Sequence, residues 1–322
     1  VEVFVLKKIG NLNKKYSFLN YTYLNQSIIA SKILFLRKHI YYQIKLGFDV
    51  RVISFTLFPD LINFFLKDLV KTYSSVRGDL KTNYFYSFFP FGFLVYRLHY
   101  YLISKMYLIF SMTNFMRAKI KENCHRKSYV VGNFINENIL RSKKRRGRKY
   151  GNKKKINFLF LGNLKLLKKP FSLISIANQL QKNKFKFKIM LVGNYSFLTK
   201  LFIIFFLKNK NNIKFFGFKN NPYPYFSKAD FLLHTSISEG ISRSVIESLH
   251  YKVPVIIRNS FGSKEYINKR NGFLFKNEKD ICDFFLNKSH IKFLKKNKIS
   301  RLPKLIQKKN CIKLYEKIIL NY

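Results

Sequence analysis

Short apolar runs alternate with segments of helical period through the second half of the chain. Five runs have the character of buried strands, at 156–162, 187–193, 212–217, 229–235 and 253–259. Apolar residues recur at helical spacing between most of them, in segments 170–183, 196–209 and 242–251. Buried strands that alternate with helices predict a parallel sheet covered on both faces. We therefore predict a doubly wound, Rossmann-like domain, which binds ligands at the carboxyl ends of its strands.

The first half of the chain is less regular but points to a second α/β domain. Residues 1–6 and 48–55 have the pattern of strands, and residues 27–47 have that of a helix ending at Gly47, a common C-cap residue. Segment 91–112 is strongly apolar, yet polar residues interrupt it too often for a membrane span. We expect it to form either a helix lying in a bilayer interface or a buried aromatic helix with a thin solvated edge.

The clearest boundary is the basic, apolar-poor segment 141–155, RSKKRRGRKYGNKKK. Its two glycines and its charge indicate an exposed linker, with a nucleic-acid patch as the alternative. The predicted organisation is an N-terminal domain over 1–140, this linker, and a C-terminal domain over 156–300. A C-terminal helix over 301–322 could cross back to the first domain.

Composition limits the class of protein. The chain has 62 Lys and Arg against 15 Asp and Glu, while 48% of its residues are hydrophobic and 18% aromatic, which argues against disorder. The net charge of +47 fits three explanations: the lysine bias of an AT-rich genome, attraction to an anionic membrane surface, or nucleic-acid binding. The three cysteines show no metal-type spacing, and VEVFVL does not resemble a signal peptide. We expect a cytoplasmic protein, peripheral on the inner face of the plasma membrane.

The segment SISEGISRSVIESL, residues 236–249, concentrates candidate chemistry in a chain poor in acidic residues. If a helix begins at Ser242, its free first-turn amides and its dipole form an anion site, flanked by Glu239 and Glu247. Carboxylates accept hydrogen bonds from vicinal hydroxyls, so this arrangement suits a sugar or ribose on either side of a phosphate. The alternative is that Ser238, Glu239 and Ser242 are capping residues and that Glu247 is a surface charge.

Two further features follow predicted strands. The segment FLGNLKLLKKP, residues 160–170, opens a helix and carries Lys165, Lys168 and Lys169, any one of which could meet the same phosphates as a point charge. His234 ends the strand that precedes Glu239 and is a candidate functional residue. His39 and His99 fall on predicted helices, where we expect structural roles.

These segments together resemble the GT-B glycosyltransferases, in particular glycosyltransferase family 4, the glycosyl transferases group 1. SEGISRSVIES resembles the Glu-x7-Glu motif of that family, and FLGNLKLLKKP its Gly-Arg-Leu-x3-Lys loop. LVGNYSFLTKL, IKFFGF, VPVIIRNSFGSKEYI with NGFLF, and YVVGNFINENI match in the family's order, so that the resemblance covers about residues 129–288. It implies an α/β fold of GT-B type, with two Rossmann-like domains facing each other across a cleft.

The resemblance also implies roles for individual residues. Glu239 would hold hydroxyls of the transferred sugar and Glu247 those of the ribose, while Lys168 and the amides near Ser242 would hold the diphosphate. Asn163 stands where the family usually has a phosphate-binding Arg, so Lys165, Lys168 or Arg243 would compensate. Glu239 and Lys168 are the expected catalytic residues, and the full expected donor set is Gly162, Asn163, Lys165, Lys168, Phe218, Glu239, Gly240, Ile241, Ser242, Arg243, Ser244 and Glu247.

The implied activity is that of a retaining, metal-independent hexosyltransferase with no cofactor. Its expected partners are a nucleotide-diphosphate sugar and a glycan or lipid-linked acceptor used in cell-surface polysaccharide synthesis, with an anionic membrane surface and without nucleic acid. Two alternatives stay open: a non-catalytic relic that keeps only the fold, and a basic nucleic-acid-binding protein.

Overall fold

A computed structural model describes residues 2–5, 20–23, 28–136, 155–260, 262–296, 299 and 302–321. The predicted basic linker 141–155 lies outside these ranges apart from Lys155. The chain divides into two compact units. The first comprises Val1–Val76, Leu94–Phe110 and Ile120–Tyr129; the second comprises Arg77–Phe93, Ser111–Lys119 and Val130–Tyr322.

The first half of the chain contains a four-stranded sheet with helices between its strands. Its elements are β1 (Glu2–Val5), β2 (Asn20–Tyr23), α1 (Ile29–Lys45), β3 (Arg51–Ser54), α2 (Leu57–Phe64), β4 (Lys71–Val76), α3 (Leu80–Ser87), α4 (Gly92–Ser104), β5 (Leu108–Ser111), α5 (Asn114–Cys124) and β6 (Tyr129–Val130). The sheet order is β3-β4-β5-β6, with β3 parallel to β4, and β1 pairs with β2 in a separate parallel pair. The predicted strands at 1–6 and 48–55 and the predicted helix at 27–47 are confirmed. Gly47 follows the C-cap of α1 with a φ of +86°, a conformation that glycine adopts without strain.

The prediction of one helix over 91–112 is wrong, because this segment forms α4 and then β5. Residues 108–111 are buried, and the main-chain N–H of Tyr107 donates to the carbonyl of Thr72, in β4, at 2.8 Å. A run of apolar residues satisfies its backbone equally well by pairing in a buried sheet, and periodicity cannot distinguish the two. His99 does not lie on a solvated edge either. It is 1% exposed, and its Nε2 lies 2.7 Å from Asp60 in the core of the first unit.

None of the helices in the described ranges combines the length and the apolar character that a membrane-spanning segment requires.

The second half of the chain contains a six-stranded, all-parallel sheet. Its elements are β7 (Ile156–Leu161), α6 (Pro170–Lys182), β8 (Phe187–Val192), α7 (Phe197–Phe206), β9 (Ile213–Gly217), α8 (Tyr223–Lys228), β10 (Phe231–His234), α9 (Arg243–His250), β11 (Val255–Arg258), β12 (Gly272–Phe275), α10 (Glu278–Leu286), α11 (Ser289–Lys296) and α12 (Lys308–Leu320). The strand order is β12-β11-β10-β7-β8-β9. All five strands and three helices predicted in this half are confirmed, with ends displaced by at most three residues. The protein thus contains two parallel-sheet, Rossmann-like α/β domains.

The core of this second domain is aromatic. Phe158 of β7 lies at the centre of the sheet, with its ring centroid 5.1 Å from that of Phe285 and 6.4 Å from that of Phe231. All three side chains are at most 1% exposed. Each fully buried aromatic side chain contributes about 1.5–3 kcal/mol relative to an exposed one, so this cluster fixes the strands whose ends carry the candidate residues.

Candidate functional site

Two glycines bring the first two strand-end loops of the six-stranded sheet together. Gly162 follows β7 with a φ of +146°, and Gly193 follows β8 with a φ of +142°. A Cβ atom on Gly193 would lie 2.1 Å from the Gly162 carbonyl oxygen, so only glycine permits this approach. Asn163 then accepts a hydrogen bond from the main-chain N–H of Asn194 at 3.3 Å, and Leu164 donates to the Asn194 carbonyl at 2.8 Å. Asn163 therefore fixes the conformation of the loop.

Lys168 is positioned by the loop that follows β10. It ends a short 3-10 turn, Leu166–Lys168, and α6 begins two residues later. The hydroxyl of Thr235 donates to the Lys168 carbonyl at 2.5 Å, and the N–H of Ile237 donates to the Leu167 carbonyl at 3.0 Å. Parallel strands place their carboxyl ends at one edge, and these two bonds join the loops there.

Glu239 lies at the centre of the resulting cluster. One of its oxygens, Oε2, lies 2.7 Å from Nζ of Lys168 and 2.6 Å from Nε2 of His234. The other oxygen, Oε1, makes no hydrogen bond within the described part of the chain, and the carboxylate side chain is 33% exposed. The structure thus brings Glu239, Lys168 and His234 together, and it leaves one carboxylate oxygen open to a ligand.

The ionisation of this cluster follows from its surroundings. Burial alone raises the pKa of Glu239, but His234 and Lys168 outweigh it and hold this pKa well below its usual range. Burial lowers the pKa of His234, against the opposite effect of Glu239. At neutral pH we therefore assign an ionised Glu239 and a neutral His234 that donates from Nε2–H. His234 Nδ1 is then an acceptor, consistent with its being buried without a hydrogen-bond partner among the residues that the structure describes.

The predicted helix start at Ser242 is confirmed, but the serine does not cap through its hydroxyl. Ser242 occupies the N-cap position of α9 with extended backbone, and its Oγ lies 3.0 Å from Oγ of Ser244. The cap side chain therefore leaves the first-turn amides to another acceptor, and such amides favour an anion. Glu247 is 8% exposed, inside α9, with Oε1 3.9 Å from Arg243 Nη2. It is not a surface charge.

The loop that carries Glu239 is held from several distant points in the sequence. The Tyr266 hydroxyl donates to the Gly240 carbonyl at 3.2 Å, and Asn133 Nδ2 donates to the Ile241 carbonyl at 2.9 Å. Burial, assisted by nearby carboxylates, raises the pKa of Tyr266, so its hydroxyl stays protonated and donates. A Cβ atom on Gly240 would lie 2.7 Å from the Met112 sulfur. These contacts define the position of Glu239.

Sequence reasoning missed the residues that make these contacts. Tyr266 and Asn133 fall inside segments quoted for the family resemblance, but nothing local marks them as partners of the Gly240 loop. Ser238, considered as a capping residue, instead donates to Asn83 Oδ1 at 2.8 Å, a residue 155 positions earlier. Only the assembled fold shows such pairs.

Two predicted residues lie apart from the Glu239 cluster. Lys165 is exposed in the loop after β7, and Phe218 follows β9 with 61% of its surface exposed. Within the described ranges neither makes a hydrogen bond to Glu239, Lys168 or His234. Their expected contacts with phosphate and base stay predictions.

A second ionic group supports the same edge of the sheet. Oε1 of Glu278 lies 2.6 Å from Arg258 Nη2 and 2.6 Å from the Ser172 hydroxyl. Arg258 also donates to the carbonyls of Lys276 and Thr235, at 2.9 and 3.3 Å. Because Thr235 binds the Lys168 backbone, this group extends the support to Lys168.

The site can bind an anion and a hydroxyl-bearing group side by side. Lys168 and the start of α9 supply positive potential, and the open oxygen of Glu239 accepts from hydroxyls. Among the residues that the structure describes, no three His, Cys, Asp or Glu side chains converge as a metal site would require.

Comparison with known proteins agrees with this description. Residues 142–309, just over half of the chain, match the sequence model of the family described as Glycosyl transferases group 1. A search of curated protein sequences returned no significant match.

Solved structures share the fold at low sequence identity. Anabaena HepE, crystallised with UDP and glucose, has a TM-score of 0.72 at 15% identity, with 99% of this chain and 90% of HepE covered. Sucrose-phosphate synthase from Thermosynechococcus elongatus has a TM-score of 0.71 at 12% identity, covering 94% and 82%. The lipopolysaccharide outer core galactosyltransferase WaaB has a TM-score of 0.68 at 18% identity, covering 96% and 86%. These glycosyltransferase structures establish that the fold is of GT-B type.

Proposed function

The chain belongs to the glycosyl transferases group 1 family, and from this premise we propose that it is a retaining hexosyltransferase of the family 4 type. It moves a hexose from a nucleotide-diphosphate sugar to a glycan or lipid-linked saccharide in cell-surface polysaccharide synthesis. The observation that carries the proposal is the carboxylate of Glu239, whose Oε2 lies 2.7 Å from Lys168 Nζ and 2.6 Å from His234 Nε2, beside the start of α9. Family membership alone does not supply that geometry.

Each part of the site has a role in this reaction. The open oxygen of Glu239 accepts from sugar hydroxyls, while Glu247 serves the ribose. Lys168, Arg243 and the first-turn amides of α9 bind the diphosphate. Gly162 and Gly193 let the two strand-end loops approach closely at the same edge. That HepE was crystallised with UDP-glucose makes a UDP-sugar the first donor to test.

The chemical step breaks the bond between the sugar C1 and the diphosphate oxygen. The bonding electrons go to the diphosphate, the acceptor hydroxyl oxygen bonds to C1 on the same face, and the hydroxyl proton leaves with the nucleoside diphosphate. Negative charge grows on the leaving group, so preorganised amides and the Lys168 ammonium stabilise the transition state more than the ground state. We expect this positive potential to replace a metal ion.

We also propose that the protein docks on an anionic membrane surface, where a lipid-linked acceptor would lie. The net charge of +47 supports it, because basic residues near such a surface contribute about 1 kcal/mol each. Exposed aromatic side chains support it too: Phe89 and Phe91, between α3 and α4, are 74% and 66% exposed.

A donor screen followed by a transfer assay tests the function. Thermal shifts with UDP-, GDP- and ADP-sugars identify the donor, and release of the nucleoside diphosphate in the presence of lipid-linked acceptors measures transfer. We expect Glu239→Ala to reduce the donor shift and to abolish the release. Glu316→Ala, the same change at an exposed position on α12, should leave both intact.

Two results would decide against the proposal. If no donor stabilises the protein, the chain is not a nucleotide-sugar transferase. If a donor binds but neither hydrolysis nor transfer follows with any acceptor, the chain has kept the fold without the activity.

A further inference from the structure

Helix α7 has a composition that normally belongs inside a protein. Its ten residues, FLTKLFIIFF, are apolar except for Thr199 and Lys200. A helix that is hydrophobic on all sides is normally buried in a core or a bilayer. Here only Ile203 is fully buried, against the six-stranded sheet.

The outward side of α7 is its most apolar side. Phe197, Leu198, Leu201 and Phe205 fall within an arc of about 100° at 3.6 residues per turn. They are 72%, 75%, 46% and 81% exposed. We call these four residues the α7 apolar face. Phe206 and Phe171, 50% and 53% exposed, extend the apolar surface. Contiguous exposed apolar patches of this kind mark interaction sites.

This face is held in place. The ring of Phe202 packs edge-on against Phe171, with centroids 4.8 Å apart, and lies 4.6 Å from Phe206. Asn178 fixes the end of the helix by donating to the Phe206 carbonyl and accepting from the Lys208 N–H. These contacts hold α7 in the orientation that leaves the α7 apolar face exposed.

The surrounding charge identifies the chemistry of the partner. The sequence contains no Asp or Glu between Asn138 and Ala229, and Lys208 and Lys210 are exposed just beyond the helix. A second copy of this chain would bring +47 against +47, so self-association through this face is opposed electrostatically. An apolar surface bordered by lysines suits a bilayer with anionic headgroups.

We propose that the α7 apolar face inserts into the interface of an anionic lipid bilayer. The four side chains enter the boundary between headgroups and acyl chains, and the nearby lysines contact lipid phosphates. This surface belongs to the second unit, and the loop 193–196 joins it directly to the Gly162 loop of the candidate site. Docking holds the donor site near lipid-linked acceptors, and this consequence rests on the proposed function. The docking itself does not depend on that function.

Vesicle flotation of the full chain tests the proposal. Vesicles of phosphatidylcholine with phosphatidylglycerol should carry the wild-type protein at about 0.15 M salt, and pure phosphatidylcholine vesicles should carry much less. Leu198→Glu with Leu201→Glu should reduce the bound fraction about tenfold or more, because two apolar contacts are lost and two repelled charges are added. Phe205→Glu alone should act in the same direction.

The chain offers a closely matched control. Leu314 and Leu320 on α12 are 41% and 74% exposed, against 46% and 75% for Leu201 and Leu198. Replacing both α12 leucines with glutamate makes the same change of charge and should leave flotation within about twofold of wild type. Thermal shifts with the donor should be equal in both double variants, which separates a failure of docking from a failure of donor binding.

Three outcomes would overturn the proposal. Wild-type protein that does not float with anionic vesicles would show that lipid is not the partner. Equal flotation of the α7 and α12 double variants would show that the α7 apolar face is not the contact. Wild-type protein that is dimeric by light scattering, and becomes monomeric when Leu198 and Leu201 are replaced, would assign the face to a second copy.

Discussion

Glu278 offers the most quantitative test of how the strand-end loops are supported. Its Oε1 accepts hydrogen bonds from both Ser172 and Arg258 at 2.6 Å. Burial opposes ionisation, but these bonds and the charge of Arg258 prevail and lower the pKa of Glu278 from 4.5 to about 2. Replacing Glu278 with glutamine keeps the shape and removes the charge.

The expected loss of stability in Glu278→Gln follows from the change in the pKa of Glu278 on folding. A carboxyl group whose pKa falls from 4.5 to about 2 on folding gains at most about 3.4 kcal/mol at 1.36 kcal/mol per unit. Glu278 keeps some contact with solvent, which screens the interaction, so we expect Glu278→Gln to cost about 2 kcal/mol at pH 7.

The cost depends on pH in a defined direction. Because the folded pKa is depressed, the stabilisation is fully present above about pH 4.5 and is lost as the pH falls towards 2. Near pH 4 the Glu278 carboxyl of the unfolded chain is largely protonated. The difference in unfolding free energy between wild type and Glu278→Gln should therefore be about 0.8 kcal/mol smaller at pH 4 than at pH 7.

Urea unfolding followed by circular dichroism at pH 7 and pH 4 measures both effects. Glu316→Gln, at an exposed position on α12, is the matched control and should stay within about 0.5 kcal/mol of wild type at both values. The reasoning would be refuted if Glu278→Gln were as stable as this control. It would also be refuted if the difference in unfolding free energy between wild type and Glu278→Gln increased from pH 7 to pH 4.

Three further substitutions test neighbouring contacts. Tyr266→Phe removes the hydrogen bond to the Gly240 carbonyl, so thermal unfolding should show a loss of about 1 kcal/mol in stability. The KM for the donor should rise, and an unchanged KM would show that Tyr266 does not position the Glu239 loop. Gly193→Ala forces a Cβ atom against the Gly162 carbonyl at positive φ, so urea unfolding should show a loss of about 3 kcal/mol or more, and a tolerated alanine would contradict the described approach. Burial lowers the pKa of His234, so at acidic pH the unfolded chain binds a proton there that the folded chain does not. The unfolding free energy of the wild type should therefore decrease as the pH is lowered past about 6.5. His234→Gln should make the unfolding free energy less dependent on pH between 7.5 and 5.5.

Local pattern was sufficient for the architecture of the second domain. The runs that became β7 to β11 are short, apolar and rich in β-branched or aromatic residues, and the helix that begins after Ser242 follows one of them. Because parallel strands end at one edge, the sequence could also predict that Lys168 and Glu239 lie at that edge. The direct contact between them, at 2.7 Å, was not predicted.

The prediction that was wrong and the residues that were missed depend on tertiary contacts, which the local sequence pattern does not encode. Segment 91–112 is apolar enough for a helix or a buried strand, and only pairing beside β4 decided for β5. Tyr266 and Asn83 reach the Glu239 loop from sequence positions far from it. The sequence could name His234 only as a candidate functional residue, because its hydrogen bond to Glu239 depends on the conformation of the turn between them. The donor-contact roles of Phe218, Lys165 and Glu247 stay predictions.

The central claim is that Glu239 recognises the sugar part of a nucleotide-diphosphate sugar. Calorimetric titration of the selected nucleotide-sugar, and separately of its nucleoside diphosphate, into wild type, Glu239→Gln and Glu316→Gln tests it most directly. We predict that Glu239→Gln weakens binding of the nucleotide-sugar at least about tenfold, the loss expected when a charged hydrogen-bond acceptor is removed. Binding of the diphosphate alone should stay within about threefold, because Lys168 and the first-turn amides of α9 remain in place. Equal affinity of Glu239→Gln and Glu316→Gln for the nucleotide-sugar would contradict the account.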